Sequence, residues 1–579
     1  MDQSEREKRE LQVVGEISGE QLMEHTAFLS AEDRESGSPG EARAVRYFRD
    51  FMENLGFETE ILEIENLISL PIRASLRVLS PEGRELVGLT PSFSASVPDG
   101  LEGELVYCPR GSQGDVAGKI VLSEGLAAPL PSYEMERRGA IGQVWINWGE
   151  LPINCIVNTI WGHPTPETAH RLPKTPVISL NESDGAYLRS FCSQGPVKVR
   201  LFTELKTDFM KVPLALAEVK GVTEPDKFVL FNGHIDSWHR GASDNGTANA
   251  CMLETARILA KHRGELRRGV RFAWWSGHSQ GRYSGSTWYA DHYWDDLYRH
   301  AIVHLNVDSL GCQGATDYSE VECTAEMYEL GKAVIETYIG QSPKYSRIGR
   351  SGDNSFWSIG LPTLFQLLSH QPPEKQEREA LVKGLPWFWH TAADTIDKID
   401  PEILLNDTRV YMAALWRLCT HPVLPIHFVP VADELDEILS GLQEKAGRAF
   451  DLGPVRRRVS AFRSRAAELS TLCRRVDAET SDLPLCSAPR AERLNGCLMK
   501  LSRLLMPVNY CATDPFDMDL AIPIPPLPRL QPLTGLGTMD PTSWDFKFLE
   551  RKMVRERNRL CFALDEAQAC IEETLSAFC

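Results

Sequence analysis

The stretch KFVLFNGHIDSWHRGASDNG, residues 227–246, organises the reading of the whole chain. The apolar run Phe228, Val229, Leu230, Phe231 stops at Gly233, and His234 and Asp236 follow directly. A loop of small and polar residues leads to Asp244, Asn245 and Gly246, and then to a helical pattern through Ala250, Leu253, Glu254 and Leu259. A buried strand that delivers a nitrogen donor at its carboxyl end, followed by a loop carrying a carboxylate, is how an α/β sheet presents a metal. His234 and Asp244 are the first expected ligand pair, with Asp236 placed to hold the imidazole in one tautomer.

Working outward, strand-like runs at 211–220, 227–233, 269–275, 301–308 and 361–368 alternate with helical stretches at 247–261, 285–296 and 325–338. That alternation predicts an α/β fold, a mostly parallel twisted sheet with helices on both faces. Residues 1–60 read as helices around a Gly/Ser/Pro turn and are expected to join residues 206–400 in this α/β domain. Short strands between turn residues mark 61–205 as an inserted β-rich domain, and 401–579 as a helical C-terminal domain whose proline-rich stretch, 522–533, is expected to cross the surface.

At 579 residues the chain exceeds what one core can hold. A net charge of -18 with no basic patch argues against a nucleic-acid binder. The first twenty residues contain no apolar segment of signal length and no later run could span a bilayer, so a cytoplasmic protein without membrane partners is expected. The 14 cysteines are then expected as reduced thiols, and none has the paired spacing of a structural zinc knuckle.

Two more residues extend the ligand set, Asp308 at a strand end and His390 after a strand and a loop. Asp308 ends the run HLNVDSLG, and His390 lies in WFWHTAADTID, where Trp387, Phe388 and Trp389 would restrict water. A single His beside an Asp is commonly a structural pair, but repeated placement of such residues at strand ends points to a metal. Carboxylates mixed with imidazoles suit Zn²⁺, with Mn²⁺, Fe²⁺ or Co²⁺ as the alternatives. His239, Arg282, Arg350, Asp353 and Asn354 flank the expected site as substrate-binding candidates. Either arginine could clamp a carboxylate, and Tyr283 could donate to a tetrahedral oxyanion.

The segments GHIDSW (233–238), GASDNGTANACMLE (241–254), FAWWSG (272–277), GSTWYA (285–290), NVDSLG (306–311), SGDNSFWSIGLP (351–362) and HTAADTID (390–397) resemble peptidase family M28. This group comprises zinc aminopeptidases, glutamate carboxypeptidases and their transferrin-receptor-like relatives. GDVAGKIVL (114–122), RRGAIGQVW (137–145) and TPVISL (175–180) resemble the protease-associated domain, and the helical end resembles the family's dimerisation domain. The resemblance implies that His234, Asp244 and Asp308 hold one zinc and that Asp244 bridges to a second held by His390. It also implies that Asp236 orients the histidine, that the Asp244–Asn245 peptide is cis and that the protein is a homodimer.

One departure alters the expected chemistry. Where the family has two adjacent glutamates, a general base and a ligand of the second metal, this chain has His278 and Ser279, or Ser279 and Gln280 in a shifted alignment. Neither alignment restores a carboxylate. A single ion is therefore expected, with His278 as the proton-transfer group, since imidazole titrates near working pH. The expected activity is hydrolysis of a small amide, carbamoyl or acyl-amino compound rather than conventional aminopeptidase action. The alternative is a non-catalytic binding or assembly protein, and after that a metal-dependent lyase or transferase.

Overall fold

The structure is a computed structural model that describes residues 3–110, 112–375, 384–481 and 488–578. Its strands are β1 (Glu58–Ser80), β2 (Arg84–Gly88), β3 (Val97–Tyr107), β4 (Ile120–Glu124), β5 (Gly142–Ile146), β6 (Val177–Leu180), β7 (Val197–Val219), β8 (Glu224–His234), β9 (Arg268–Trp275), β10 (Ala301–Asn306), β11 (Glu320–Cys323), β12 (Lys344–Arg347) and β13 (Thr363–Leu364). Helices α1 (Gln3–Val14), α2 (Gly19–Leu29) and α3 (Pro39–Asn54) precede them, α4 (Pro129–Arg137) and α5 (Glu182–Cys192) lie between β4 and β7, and α6 (Ala248–Lys261), α7 (Ser284–His292), α8 (Trp294–His300) and α9 (Tyr328–Tyr338) between β8 and β12. The helical end comprises α10 (Pro401–Thr420), α11 (Val429–Ala446), α12 (Gly453–Ser481), α13 (Pro489–Tyr510) and α14 (Trp544–Ser576).

A mixed, twisted sheet runs in the order β12-β11-β13-β10-β8-β9-β7-β3-β4-β5-β6. The antiparallel ribbon of β1 and β7, paired from Glu58–Glu218 to Ser80–Lys198, is its spine. One end of β7 carries β9 and the other carries β3, so the strands from β8 to β13 and the β3–β6 run hang from the same two strands. In β8, Val229 and Phe231 pack into the core shared with α2, α3, α6 and α10, while Phe228 and Leu230 face the opposite core with Tyr289 and Leu297. Alternation of apolar residues into two cores is what a strand covered on both faces requires. The first of these cores continues into the helical end through Leu435, Leu498 and Leu564.

Several elements depart from the sequence reading. The 61–205 segment also contains α4, which makes the crossover between the parallel neighbours β4 and β5, and α5, which links β6 to β7. The 285–296 stretch is broken at Tyr293 into α7 and α8, and the expected strand at 361–368 shrinks to Thr363–Leu364. Residues 522–533 are anchored rather than draped, with Leu527, Leu530 and Leu533 buried and a 3-10 helix beginning at Gln531. Among the described residues no helix is long and apolar enough to cross a membrane.

Candidate metal centre

The parallel strands β9, β8 and β10 are adjacent, and their carboxyl ends define the site. His234 is the last residue of β8, and Asp308 lies two residues beyond β10. The turn after β9 presents His278, and the segment 241–247, with a cis Asp244–Asn245 peptide, lays Asp244 across the strand ends. His234 Nε2 is 3.0 Å from Asp244 Oδ1 and 3.8 Å from Asp308 Oδ2, and Asp244 Oδ2 is 2.8 Å from His390 Nε2. One carboxylate thus spans two imidazoles.

Hydrogen bonds fix which nitrogen each ring presents. His234 Nδ1 donates to the Asp236 carbonyl at 2.8 Å and His390 Nδ1 donates to the Asn154 carbonyl at 2.9 Å. Both Nε2 atoms therefore face Asp244, the nitrogen each ring would present to a metal. His234 Nε2 and Asp244 Oδ1 are buried and, although 3.0 Å apart, neither makes an aligned hydrogen bond. Buried polar atoms left this way are costly unless something else satisfies them. Burial opposes a charge on His234, but Asp236, Asp244 and Asp308 outweigh it and hold the ring well above its ordinary range. Burial likewise opposes a charged Asp244, yet His390 and His234 hold it well below the carboxylate range. The same field that favours a proton here favours a divalent cation, so these residues fit a metal.

A buried frame supports the ligands. The Asp236 carboxylate is 3.6 Å from His234 Nδ1 and instead accepts from Ser36 Oγ and the Ser279 N–H, both at 2.8 Å. Asp394 accepts the N–H groups of Ser243 and Asp244 at 2.8 and 3.0 Å, and burial pushes its carboxyl up to about 6. The Arg34 guanidinium, fully enclosed, donates to the carbonyls of Leu29, Ile235, Arg240 and Gly241 and so ties down the loop after β8. His239, Arg282, Tyr283, Ser309 and His390 all adopt positive φ between 50° and 68°. Left-handed backbone at non-glycine residues is held only where surrounding contacts over-determine it, and here it gathers at the site.

His278 lies flat against His234, with ring centroids 3.8 Å apart and planes 13° from parallel. Donor atoms of His234, His278 and Asp308 fall within 4.8 Å of one another, a cluster able to surround an ion. His278 Nδ1 is 2.9 Å from Asp353 Oδ2, and Asp353 Oδ1 accepts from Ser286 Oγ at 2.8 Å. Tyr283 meets the His278 ring edge-on at 4.8 Å, and burial raises its phenol above the ordinary range, which keeps it a donor.

Around this centre, His239 Nε2 accepts from Asn154 Nδ2 at 2.8 Å. Arg350 stacks on Trp161 at 3.8 Å and donates to the carbonyls of Asn354 and Asp519. Arg282 donates to the Tyr283 hydroxyl and the Ala521 carbonyl. The Nε atoms of both arginines are buried without a partner. Asn354 Nδ2 donates to the Ser351 carbonyl. Trp389 stacks on His390 at 3.4 Å and Phe388 is buried, whereas Trp387 is half exposed. Sequence reasoning did not single out Arg34, Ser36, Asn154 or Asp394. Of these, only Asp394 lay within a recognised segment.

Residues 215–415 match peptidase family M28. The chain is 23% identical over 505 residues to Probable glutamate carboxypeptidase VP8 of Zea mays, covering 72% of this chain and 68% of that protein. It is 25% identical over 351 residues to Aminopeptidase NAALADL1 of Rattus norvegicus, covering 55% of this chain and 46% of that protein. The structure of BSAP, a zinc aminopeptidase from Bacillus subtilis, superposes with a TM-score of 0.55 at 21% identity, over 70% of this chain and 96% of that one. The chain thus spans about two-thirds of one curated relative and just under half of the other. It has the M28 peptidase fold, with an atypical ligand set in which His278 stands where the family places its glutamate pair.

Proposed function

We propose that the chain is a one-ion hydrolase of a small amide, carbamoyl or acyl-amino compound, with Zn²⁺ as the metal. The observation that carries this reading is the convergence of His234 Nε2, Asp244 and Asp308, with His234 Nδ1 tied to the Asp236 carbonyl. When bound, an ion on this donor set supplies Lewis-acid polarisation of the scissile carbonyl. A second ion has little to hold it. His390 and Asp244 remain, but no carboxylate joins them: Ser279 offers only a neutral hydroxyl, and Gln280 is spent on Ser36 and the Ser237 carbonyl.

His278 is the proton-transfer group in this reading. With Nδ1 turned to Asp353, its Nε2 is the nitrogen left for the substrate side. In this reading His234, Asp244 and Asp308 would hold the ion, and His278, stacked flat on His234, would stand beside it to move the proton. Tyr283 supplies a hydroxyl donor beside it. Arg282 and Arg350, bonded to neutral oxygens, retain positive charge to offer a carboxylate on the substrate. The absence of a glutamate pair also makes the site less suited to a free α-ammonium group than the family's aminopeptidases. Residues 61–205 act as an inserted protease-associated-like wall, supplying Asn154 and Trp161. The helical end is proposed as the homodimerisation unit and the location as cytoplasmic.

Purification without added metal followed by elemental analysis tests the centre. One tightly held ion per chain is expected, lost on Asp308→Ala, and chelation should lower the thermal midpoint of the wild type alone. A metal-loaded panel of acyl-amino and carbamoyl compounds, some bearing a carboxylate, should then yield turnover that His278→Ala abolishes. Two ions would refute the one-ion centre. No ion after reconstitution would favour the assembly reading, which the missing glutamates support.

A further inference from the structure

Away from the metal centre, the helical end brings two thiols together. Cys497 on α13 and Cys570 on α14 are buried, and their sulfurs are 3.6 Å apart. The Cys497 thiol also points to the Cys570 carbonyl at 3.9 Å. A disulfide needs the sulfurs at about 2.05 Å, so they have roughly 1.5 Å left to close. We propose that Cys497 and Cys570 form an oxidisable dithiol, a modification site at which a hydroperoxide links α13 to α14.

The surroundings assign the order of events. Contact with the Cys497 thiol lowers Cys570 from its ordinary range against the opposing effect of burial, and the Lys500 ammonium, one helical turn beyond Cys497, adds to this. Cys497 is pushed the other way, first by Cys570 and then by burial. A stabilised thiolate beside a cation is the form that reacts with peroxide, and a nearby thiol resolves the product. The Cys570 thiolate attacks the hydroperoxide, the O–O bond breaks, and sulfenic acid and an alkoxide result. The alkoxide takes a proton to become the alcohol. The Cys497 thiol then attacks the sulfenic sulfur, forming the S–S bond and releasing water. Overall, two thiols are oxidised and one hydroperoxide is reduced.

The link fastens the last long helix to α13, whose other end is docked on the sheet by Arg503, through the carbonyls of Gly360 and Ala301, and by Asn509, which accepts from Arg347. Treatment of the reduced full chain with tert-butyl hydroperoxide tests the assignment. Intact mass should fall by two hydrogens, and peptide mapping should show a Cys497–Cys570 cross-link that a thiol reductant reverses. Lys500→Ala should slow the cross-link several-fold, and Cys497→Ser or Cys497→Ala should leave a sulfenic acid on Cys570 that dimedone traps. Cross-linking of other cysteines at the same rate, or oxidation of Cys570 to sulfonic acid with no cross-link in the wild type, would overturn the proposal.

Discussion

Asp244 and Asp236 are both buried aspartates beside His234, yet they should respond very differently to substitution. Asp244 reaches His234 Nε2 with one oxygen and His390 Nε2 with the other. Asp244→Asn should therefore weaken Zn²⁺ binding by more than about 100-fold, beyond the loss of about 10- to 100-fold usual for a group that merely orients a ligand. Asp236 holds the His234 tautomer through its main-chain carbonyl, while its carboxylate anchors the turn at 279. Asp236→Asn keeps that carbonyl, so the loss of affinity should be smaller than about tenfold, below the usual orienting effect. Competition with a chromogenic chelator measures both, and equal losses would contradict this division. The four proposed ligands could be named from sequence because each lies inside a recognisable segment, although only His234 and Asp308 lie at strand ends; Asp244 sits in the 242–247 turn and His390 in a loop well beyond β13. Asn154, Ser36 and Arg34 were not, since what they contribute is a carbonyl, a hydroxyl or a guanidinium brought from a distant part of the chain, and local pattern records none of these. Asp353 was legible as a polar loop residue, but its place behind His278 depends on how two loops meet.

Among the elements, those with a complete local signal were read well. Helix α10 has Asp400 as N-cap, accepting from the N–H groups of Glu402 and Ile403, with Pro401 at the first helical position. Asp400→Ala should remove that cap at a cost of about 1 kcal/mol, seen as a lower thermal midpoint with unchanged metal content. A loss of metal on this substitution would show instead that α10 positions the centre through the neighbouring 311–312 turn, whose Gly311 carbonyl accepts from the Asp400 N–H. The α3 helix was equally plain, its apolar face ending in Phe48, which stacks on Trp274 with centroids 4.9 Å apart. Short strands carry less information. β11, β12 and β13 span four, four and two residues, too few for a period to emerge, and their pairing is set by neighbours. The full extent of β1 and β7 was hidden for the opposite reason. Each runs through two cores, so its pattern of burial changes partway along the strand and reads as separate pieces.

At the scale of the whole molecule, the sheet and the helical end share one core, and their junction contains a carboxyl group at odds with its setting. Glu326, in the 3-10 turn Ala325–Met327, is buried, and its Oε1 has no hydrogen-bond partner. Burial pushes it from 4.5 up to about 7, and Glu434 of α11 adds to the rise, against its own N–H, Thr324 and Arg347. The folded protein thus retains a proton that the unfolded chain gives up. The stabilisation this provides is complete below pH 4.5 and is lost as pH rises through about 7. Glu326→Gln supplies a neutral side chain of the same shape at every pH. The variant should match the wild type in acid and become more stable by about 1–3 kcal/mol as pH climbs, the difference levelling off once the carboxyl is ionised. Thermal midpoints of the two proteins across a pH series measure this. Parallel curves would mean that the junction opens enough to hydrate Glu326, and that the helical end is docked on the sheet less tightly than the shared core implies.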